Sequence, residues 1–396
     1  MMDQIAKYTN KLVADRSALR DRIAFAAQDD TLLTSGEPEC ARLAGDVLGR
    51  LNALALVAAR PSLPFAEFLV GRISAGESCI IPRDTETRTF LHDIPFLRRS
   101  EYGAGGPELL ARLLGNRKGV IVEGVGIVAV GAVTVEQAYI NYSSVFHAAF
   151  VKYLQDLLAD GFLIPGERAA FDEFRNDWLR PLTADGLIFR TGPLTDPAAI
   201  LAEVATVGRY TVERGLVDSF FGNISCRSDD VIYISQTAAS LDELDGCIDP
   251  VPFAPTSTAG ITASSELAAH RRIYETGDAR VILHGHPKFS VVMSMQCERE
   301  ECEITDCWRD CPNVRYLGGT PVVAGEIGAG GLAKRVPPVI GESGRALVYG
   351  HGVFTTGRQD FAEVFRAMGE VENWCRNEYF RRLAEAERMR LAMRRR

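Results

Sequence analysis

The sequence of 396 residues lacks any uninterrupted apolar run of the roughly 18 to 20 residues a membrane helix needs. No membrane partner is therefore expected. Its opening stretch, MMDQIAKYTNKLVADR, has no apolar segment of the secretory kind, so a cytoplasmic setting is expected. Positive charge is in short supply, with 44 Lys and Arg against 52 Asp and Glu and a net charge of -8. That balance argues against nucleic acid as a partner. The one basic run, Arg388, Arg390, Arg394, Arg395 and Arg396, reads as a solvated helix end that complements the helix dipole. Histidine is scarce, at six residues, so the places where it falls carry information. Apolar residues are not scarce: 46% of the chain is hydrophobic and 24% charged, enough side chain to bury a core and to exclude a disordered chain. At about 150 residues per domain, the length predicts two or three domains.

Cysteine is the exception to this economy, with nine residues. In a reducing compartment they are expected to be free thiols rather than a disulfide framework. Four of them cluster as Cys297-x4-Cys302-x4-Cys307-x3-Cys311. That spacing is looser than paired CxxC motifs, and it leaves two readings: a structural zinc site, or four reduced thiols.

Periodicity predicts a helix over 38–58, two short buried strands broken at glycines over 119–130, and a helix over 134–158. Pro, Gly and Asp are dense between 180 and 197, which marks a domain boundary there. Beyond it a helix is predicted over 196–216. A hairpin follows with Asp229-Asp230 at its turn, then a helix from Ser264 to about Gly277, a strand in ARVILHGHP, and a long helix over 360–390. Such alternation fits an α/β or α+β layered architecture.

An internal repeat is also visible. IVEGVGIVAVG (121–131) and LVYGHGVFTTG (347–357) share three glycines, Gly124/Gly350, Gly126/Gly352 and Gly131/Gly357, and both lead into a long helix. Upstream, Leu91-His92-Asp93-Ile94-Pro95 resembles Leu283-His284-Gly285-His286-Pro287. A duplicated module is therefore expected, with boundaries at 1–190 and 191–396. On this alignment Val125 stands at the place of His351 and Ile94 at that of His286, leaving only His92. The first copy is thus expected to be non-catalytic, packed on the active copy in place of a neighbouring subunit.

The sharpest constellation is His284-x-His286 with His351. Side chains at i and i+2 of a strand point to one face. His351 lies between Gly350 and Gly352, where the backbone can turn sharply. Three imidazoles aimed at one point suit a catalytic zinc with an open fourth position. Glu266 follows Ser264 and Ser265 at a helix start, where the hydroxyls can cap the helix or, with free N–H groups, hold phosphate. A carboxylate beside a metal can act as a general base. His270, four residues on, faces the same side and is read as a packing or hydrogen-bonding residue rather than a ligand. Gly222-Asn223-Ile224-Ser225 opens a strand, with an amide that can donate to an oxyanion.

In order, GNIS (222–225), SSE (264–266), His270, HGHP (284–287), VVAGEIGAGGLA (322–333) and GHG (350–352) resemble the class II aldolase/adducin family, of the L-fuculose-1-phosphate aldolase type, over roughly 196–385. The resemblance implies a central, mainly antiparallel sheet flanked by helices. It implies Zn2+, or another divalent metal, on His284, His286 and His351, and Glu266 as acid/base. It implies Asn223, Ser264, Ser265 and Thr237 around the phosphate and enediolate end of a substrate. The reaction implied is aldol cleavage or condensation of a small phosphorylated sugar or hydroxyaldehyde through a metal-stabilised enediolate, in a homo-oligomer. Three departures stand out. Ala238 replaces the usual Gly after Thr237, and Gly325 stands where a Tyr proton donor is expected. The cysteine segment reads as an insertion. An epimerase, decarboxylase or dehydratase using the same chemistry, or a non-catalytic adducin-like binding protein, are the alternatives.

Overall fold

Two mixed sheets organise this computed structural model, which describes residues 1–73, 76–218, 220–254, 262–298, 302–325 and 329–394. Arg395 and Arg396 of the basic tail and part of the VVAGEIGAGGLA motif lie outside the described residues. The chain divides into two units, Met1–Arg180 and Pro181–Arg396.

In the first unit the helix Met2–Ala14 precedes β1 (Ala18–Gln28) and β2 (Leu32–Gly36). The helix Pro38–Leu48 leads to β3 (Ala55–Pro61), and later come β4 (Cys79–Ile80), β5 (Ile94–Leu97), β6 (Gly119–Val122) and β7 (Gly126–Gly131). The helix Val135–Asp160 follows. Pro38 sits in the first turn of its helix and the Glu37 side chain accepts from the Cys40 N–H, a start that needs no help from tertiary packing. The sheet order is β2-β1-β3-β7-β6-β5-β4, antiparallel except between β5 and β6. Leu56, Ala58, Val120, Val122 and Val128 pack on Leu43, Ala44, Val47 and Leu48 of the helix Pro38–Leu48.

The predicted helix over 38–58 is corrected here. It stops at Leu48, and 55–61 is the central strand β3. A strand buried on both faces reads as a continuous apolar run, which periodicity cannot separate from a helix.

The second unit begins with the helix Pro197–Glu213, which has Asp196 as its cap and Pro197 at its first position. Its strands are β8 (Asn223–Ser228), β9 (Val231–Ser235), β10 (Ile248–Pro252), β11 (Val281–Gly285), β12 (Arg315–Leu317), β13 (Thr320–Val323), β14 (Arg345–Val348) and β15 (Gly352–Gly357). The helix Leu267–Thr276 lies between β10 and β11, and the helix Phe361–Arg394 follows β15. The order is β10-β9-β8-β11-β15-β14-β13-β12, again antiparallel except at one pair, β13 with β14. Apart from the extra strand β10, the order and the position of the parallel pair are those of the first unit.

The registers agree as well. Ala55 pairs with Gly131, and Val281 with Gly357. Leu97 pairs with Val122, and Val323 with Val348. Each of these residues lies 226 positions from its counterpart (281 minus 55, for example). Thr134 and Asp360 also correspond, and each bonds through its side chain to a backbone N–H at the start of the following helix. A Cβ on Gly126 would lie 2.4 Å from the Ala59 carbonyl oxygen, and one on Gly352 would lie 2.4 Å from that of Gly285. Both turns need glycine for the same close approach.

This register overturns one sequence match. The segment around His92 leads into β5, whose counterpart is β13, and His92 itself is exposed. The strand in the place of β11 is β3, with Pro61 matching Pro287. Ala58 therefore stands where His284 stands and Arg60 where His286 stands, while Val125 matches His351 as expected. Within the chain the cysteine segment is as long as its counterpart in the first unit, since Pro61 to Pro95 and Pro287 to Pro321 span equal lengths.

Candidate active site

Four pieces of the second unit meet at one point: the start of β8, the end of β11, the β14–β15 turn and the start of the helix Leu267–Thr276. His284 is the penultimate residue of β11, buried, directly across from Asn223 of β8 on one side and Phe354 of β15 on the other. The Phe354 ring stacks on it at 4.0 Å between centroids. Its Nδ1 lies 3.0 Å from the Val353 carbonyl, an acceptor, so Nδ1 carries a proton and Nε2 is the nitrogen turned to the site. A backbone carbonyl on the far nitrogen is how proteins orient metal-ligating imidazoles. His286 follows, buried, with its Nε2 3.0 Å from that of His284 and its ring stacked on Phe221.

His351 enters from the turn between β14 and β15, where Gly350 has a φ of 59°. The ligand nitrogens of His284, His286 and His351 lie within 4.8 Å of one another. Among the described residues no other group of three or more metal-type side chains does so.

Glu266 faces this triad. Its Oε1 is 3.2 Å from His351 Nε2 and its Oε2 is 3.5 Å from His284 Nε2. Asn223 Nδ2 donates to Oε2 at 2.9 Å. Burial pushes the pKa of the carboxyl up, but His284, His351 and Asn223 outweigh it and hold the group well below the usual carboxylate range. Glu266 is therefore ionised, and three imidazoles with one carboxylate form a donor set that matches a divalent cation.

The helix beside the site starts at Leu267 rather than Ser264. The Ser264 hydroxyl accepts from the Glu266 N–H at 3.2 Å, closing a short turn that aims the carboxylate before the helix proper begins. Ser264 is buried and Ser265 exposed. Thr237, also exposed, sits beside them, because Gln236 bridges Ala263 and the Thr237 N–H donates to the Thr262 carbonyl. Ala238 holds a φ of 58° in this turn. Asp249, not singled out from the sequence, ties the turn down by accepting from Gln236 and Thr262.

Also unanticipated is a buried chain behind the site. Asn223 Oδ1 contacts His270 Nε2 at 2.5 Å, His270 Nδ1 contacts Ser225 Oγ at 2.7 Å, and Ser225 Oγ contacts the Tyr274 hydroxyl at 2.7 Å. A signal for it existed in the sequence. Asn223 and Ser225 are two apart on a strand, and His270 and Tyr274 four apart on a helix, so each pair shares one face.

The four clustered cysteines all line one cavity of about 440 Å³, together with Arg315, Tyr349 and Trp374. Cys297 and Cys302 are exposed, Cys307 and Cys311 half-buried, and all four are free thiols.

Residues 202–379 match the family described as Class II Aldolase and Adducin N-terminal domain. The second unit is thus a domain of the class II aldolase and adducin family. Among solved structures, the chain is similar to L-fuculose-1-phosphate aldolase from Thermus thermophilus, at 24% identity over 48% of this chain and 97% of that one, with a TM-score of 0.39. It is similar to YgbL from Escherichia coli, whose description leaves open aldolase, epimerase or decarboxylase, at 17% identity over 47% and 97%, TM-score 0.39. It is also similar to a sugar-phosphate aldolase from Thermotoga maritima, at 16% identity over 47% and 96%, TM-score 0.34. No curated protein matches the chain. Among the described residues, no helix is long and apolar enough to cross a membrane.

Proposed function

We propose that the second unit is a metal-dependent carbon–carbon lyase of the aldolase type, acting on a small phosphorylated sugar or hydroxyaldehyde, with Zn2+ or another divalent ion on His284, His286 and His351. The observation that carries this reading is the convergence of three imidazoles on one point with the Glu266 carboxylate 3.2 and 3.5 Å from two of them. A divalent ion there would act as a Lewis acid toward adjacent hydroxyl and carbonyl oxygens. Glu266 is the base that takes the proton from the substrate and returns it. Asn223 holds that carboxylate from one side through its amide. Ser264, Ser265 and Thr237 form the polar rim that receives the phosphate, where remote binding energy positions the reacting carbon.

The first unit we propose to be a degenerate copy without chemistry. Ala58 and Val125 offer no ligand atom, and Arg60 offers a permanent positive charge. One observation favours a second reading of the catalytic unit. Gly325 brings no side chain to protonate the aldehyde half, which suits epimerisation, decarboxylation or dehydration by the same site.

The test is hydrogen exchange into dihydroxyacetone phosphate in heavy water by the metal-loaded chain, which requires only the proton abstraction common to these reactions. Deuterium entry that stops on chelation is expected. No entry with the metal bound would contradict the reading. Product analysis with added aldehydes then separates aldol addition from the second reading.

A further inference from the structure

The placement of the Asn223 amide sets the direction of the hydrogen bonds in the buried chain of polar groups behind Glu266. Asn223 presents its NH2 to Glu266 Oε2 at 2.9 Å. Its carbonyl oxygen then faces His270 Nε2 at 2.5 Å, and that nitrogen must carry a proton. Burial pulls the His270 pKa down to about 3, so the ring is neutral and Nδ1 is left as an acceptor. Ser225 then donates to Nδ1 and accepts from the Tyr274 hydroxyl, which also lies 3.4 Å from the Arg280 carbonyl. Turning the Asn223 amide over would set its oxygen against a Glu266 oxygen and reverse every bond behind it, out to the Tyr274 hydroxyl and the Arg280 carbonyl. All four supporting residues are buried, at 5% exposure for Asn223 and 1% or less for Ser225, His270 and Tyr274. Buried polar networks of this kind are costly unless every member is satisfied.

The first unit shows that the fold does not need them. By strand register, Ala24 stands at the place of Asn223 and Ala26 at that of Ser225. Counting from the glutamates at the two helix starts, Glu37 and Glu266, Ala41 stands for His270 and Gly45 for Tyr274. The same sheet order is thus built with every one of these polar groups removed, together with the three metal-type histidines.

We propose that His270 is a positioning residue for the proton transfer: by donating from Nε2 to Asn223 it fixes the amide that holds the Glu266 carboxylate in line with the histidine triad. This rests on the reading of Glu266 as the acid/base. Among the described residues the His270 side chain bonds to Asn223 and Ser225 and to none of the triad or of Ser264, Ser265 and Thr237, so its effect falls on the turnover of bound substrate rather than on binding.

The experiment compares the metal-loaded full chain with His270→Leu and His270→Gln in the dihydroxyacetone phosphate exchange assay. Leu removes both hydrogen bonds, whereas a Gln amide can donate to Asn223 and accept from Ser225. His270→Leu is expected to lower kcat for exchange about tenfold to a hundredfold, the scale of a catalytic group displaced by about 1 Å. KM should stay within about twofold and bound metal should be unchanged, and Gln should recover most of the rate. Equal rates for the Leu and Gln variants, or an unchanged kcat in Leu, would overturn the proposal. A second readout is independent of turnover and needs no variant to fold. The imidazole 15N spectrum of the wild-type chain should show the His270 proton on Nε2. A proton on Nδ1 overturns the proposal even if exchange proceeds. If the metal-bound wild type exchanges nothing, the functional reading falls while the spectrum still decides the hydrogen-bond direction.

Discussion

β3 of the first unit and β11 of the second occupy the same place in the same strand order, yet one carries Ala58 and Arg60 where the other carries His284 and His286. The contrast extends around the site. Val125 answers His351, Ala24 answers Asn223 and Ala26 answers Ser225. What the units share is backbone: the glycines under β7 and β15, the prolines at 61 and 287 and at 95 and 321, and the helix starts at Thr134 and Asp360. The scaffold is therefore separable from those side chains, since one sheet stands with apolar residues and the exposed Arg60 where the other buries imidazoles, an amide and hydroxyls. Buried polar groups contribute little net stability even when satisfied. Their concentration in one unit is better explained by function than by folding.

Several experiments would break or sharpen this contrast. The largest effect is expected from metal removal. Chelation should lower dihydroxyacetone phosphate exchange by about a thousandfold or more, corresponding to several kcal/mol of lost charge stabilisation, and added Zn2+ should restore it. Exchange that survives complete chelation would break the contrast.

Next comes the pair of helix-start glutamates. Glu266→Gln should reduce kcat about 10²- to 10⁴-fold, the range for a general base. Glu37→Gln, at the corresponding place, should leave exchange unchanged and weaken only a helix cap, by about 1 kcal/mol or less in a urea melt. Equal kinetic effects would deny that the units differ.

A third test uses what the units have in common. Gly126→Ala and Gly352→Ala each push a methyl into a backbone carbonyl oxygen, so each should destabilise the chain by about 1 to 3 kcal/mol in denaturant. Only the second should also weaken metal retention, because its Cβ would meet His286 and His284 at 2.8 and 2.9 Å. The smallest effect is expected from Cys307→Ser, which should change stability by less than about 0.5 kcal/mol and leave the histidine-bound ion in place. Loss of a second ion in that variant would instead assign one to the cysteine cavity.

Much of the second unit was legible from the sequence. His284, His286 and His351 stand out because three of only six histidines fall at strand ends beside glycine or proline. The Asp229-Asp230 turn and the long closing helix followed from turn chemistry and periodicity. The first unit was harder to read for a physical reason. Its key strand β3 is buried on both faces, and ALVAARP carries no alternation to mark it as a strand. With β3 hidden inside a predicted helix, the His92 segment is the nearest sequence likeness to HGHP, and the repeat seen in sequence departs from the strand register there while agreeing with it at Gly126 and Gly131. The relay through His270 was missed because its four members come from a strand and a helix more than forty residues apart, which only the folded sheet brings together.

The claim that one unit holds chemistry and the other only its scaffold is tested most directly by counting divalent metal at equilibrium on the wild-type chain, on His284→Ala and on Arg60→Ala. The account predicts an ion that His284→Ala abolishes and Arg60→Ala leaves untouched. Full metal retention in His284→Ala would contradict it.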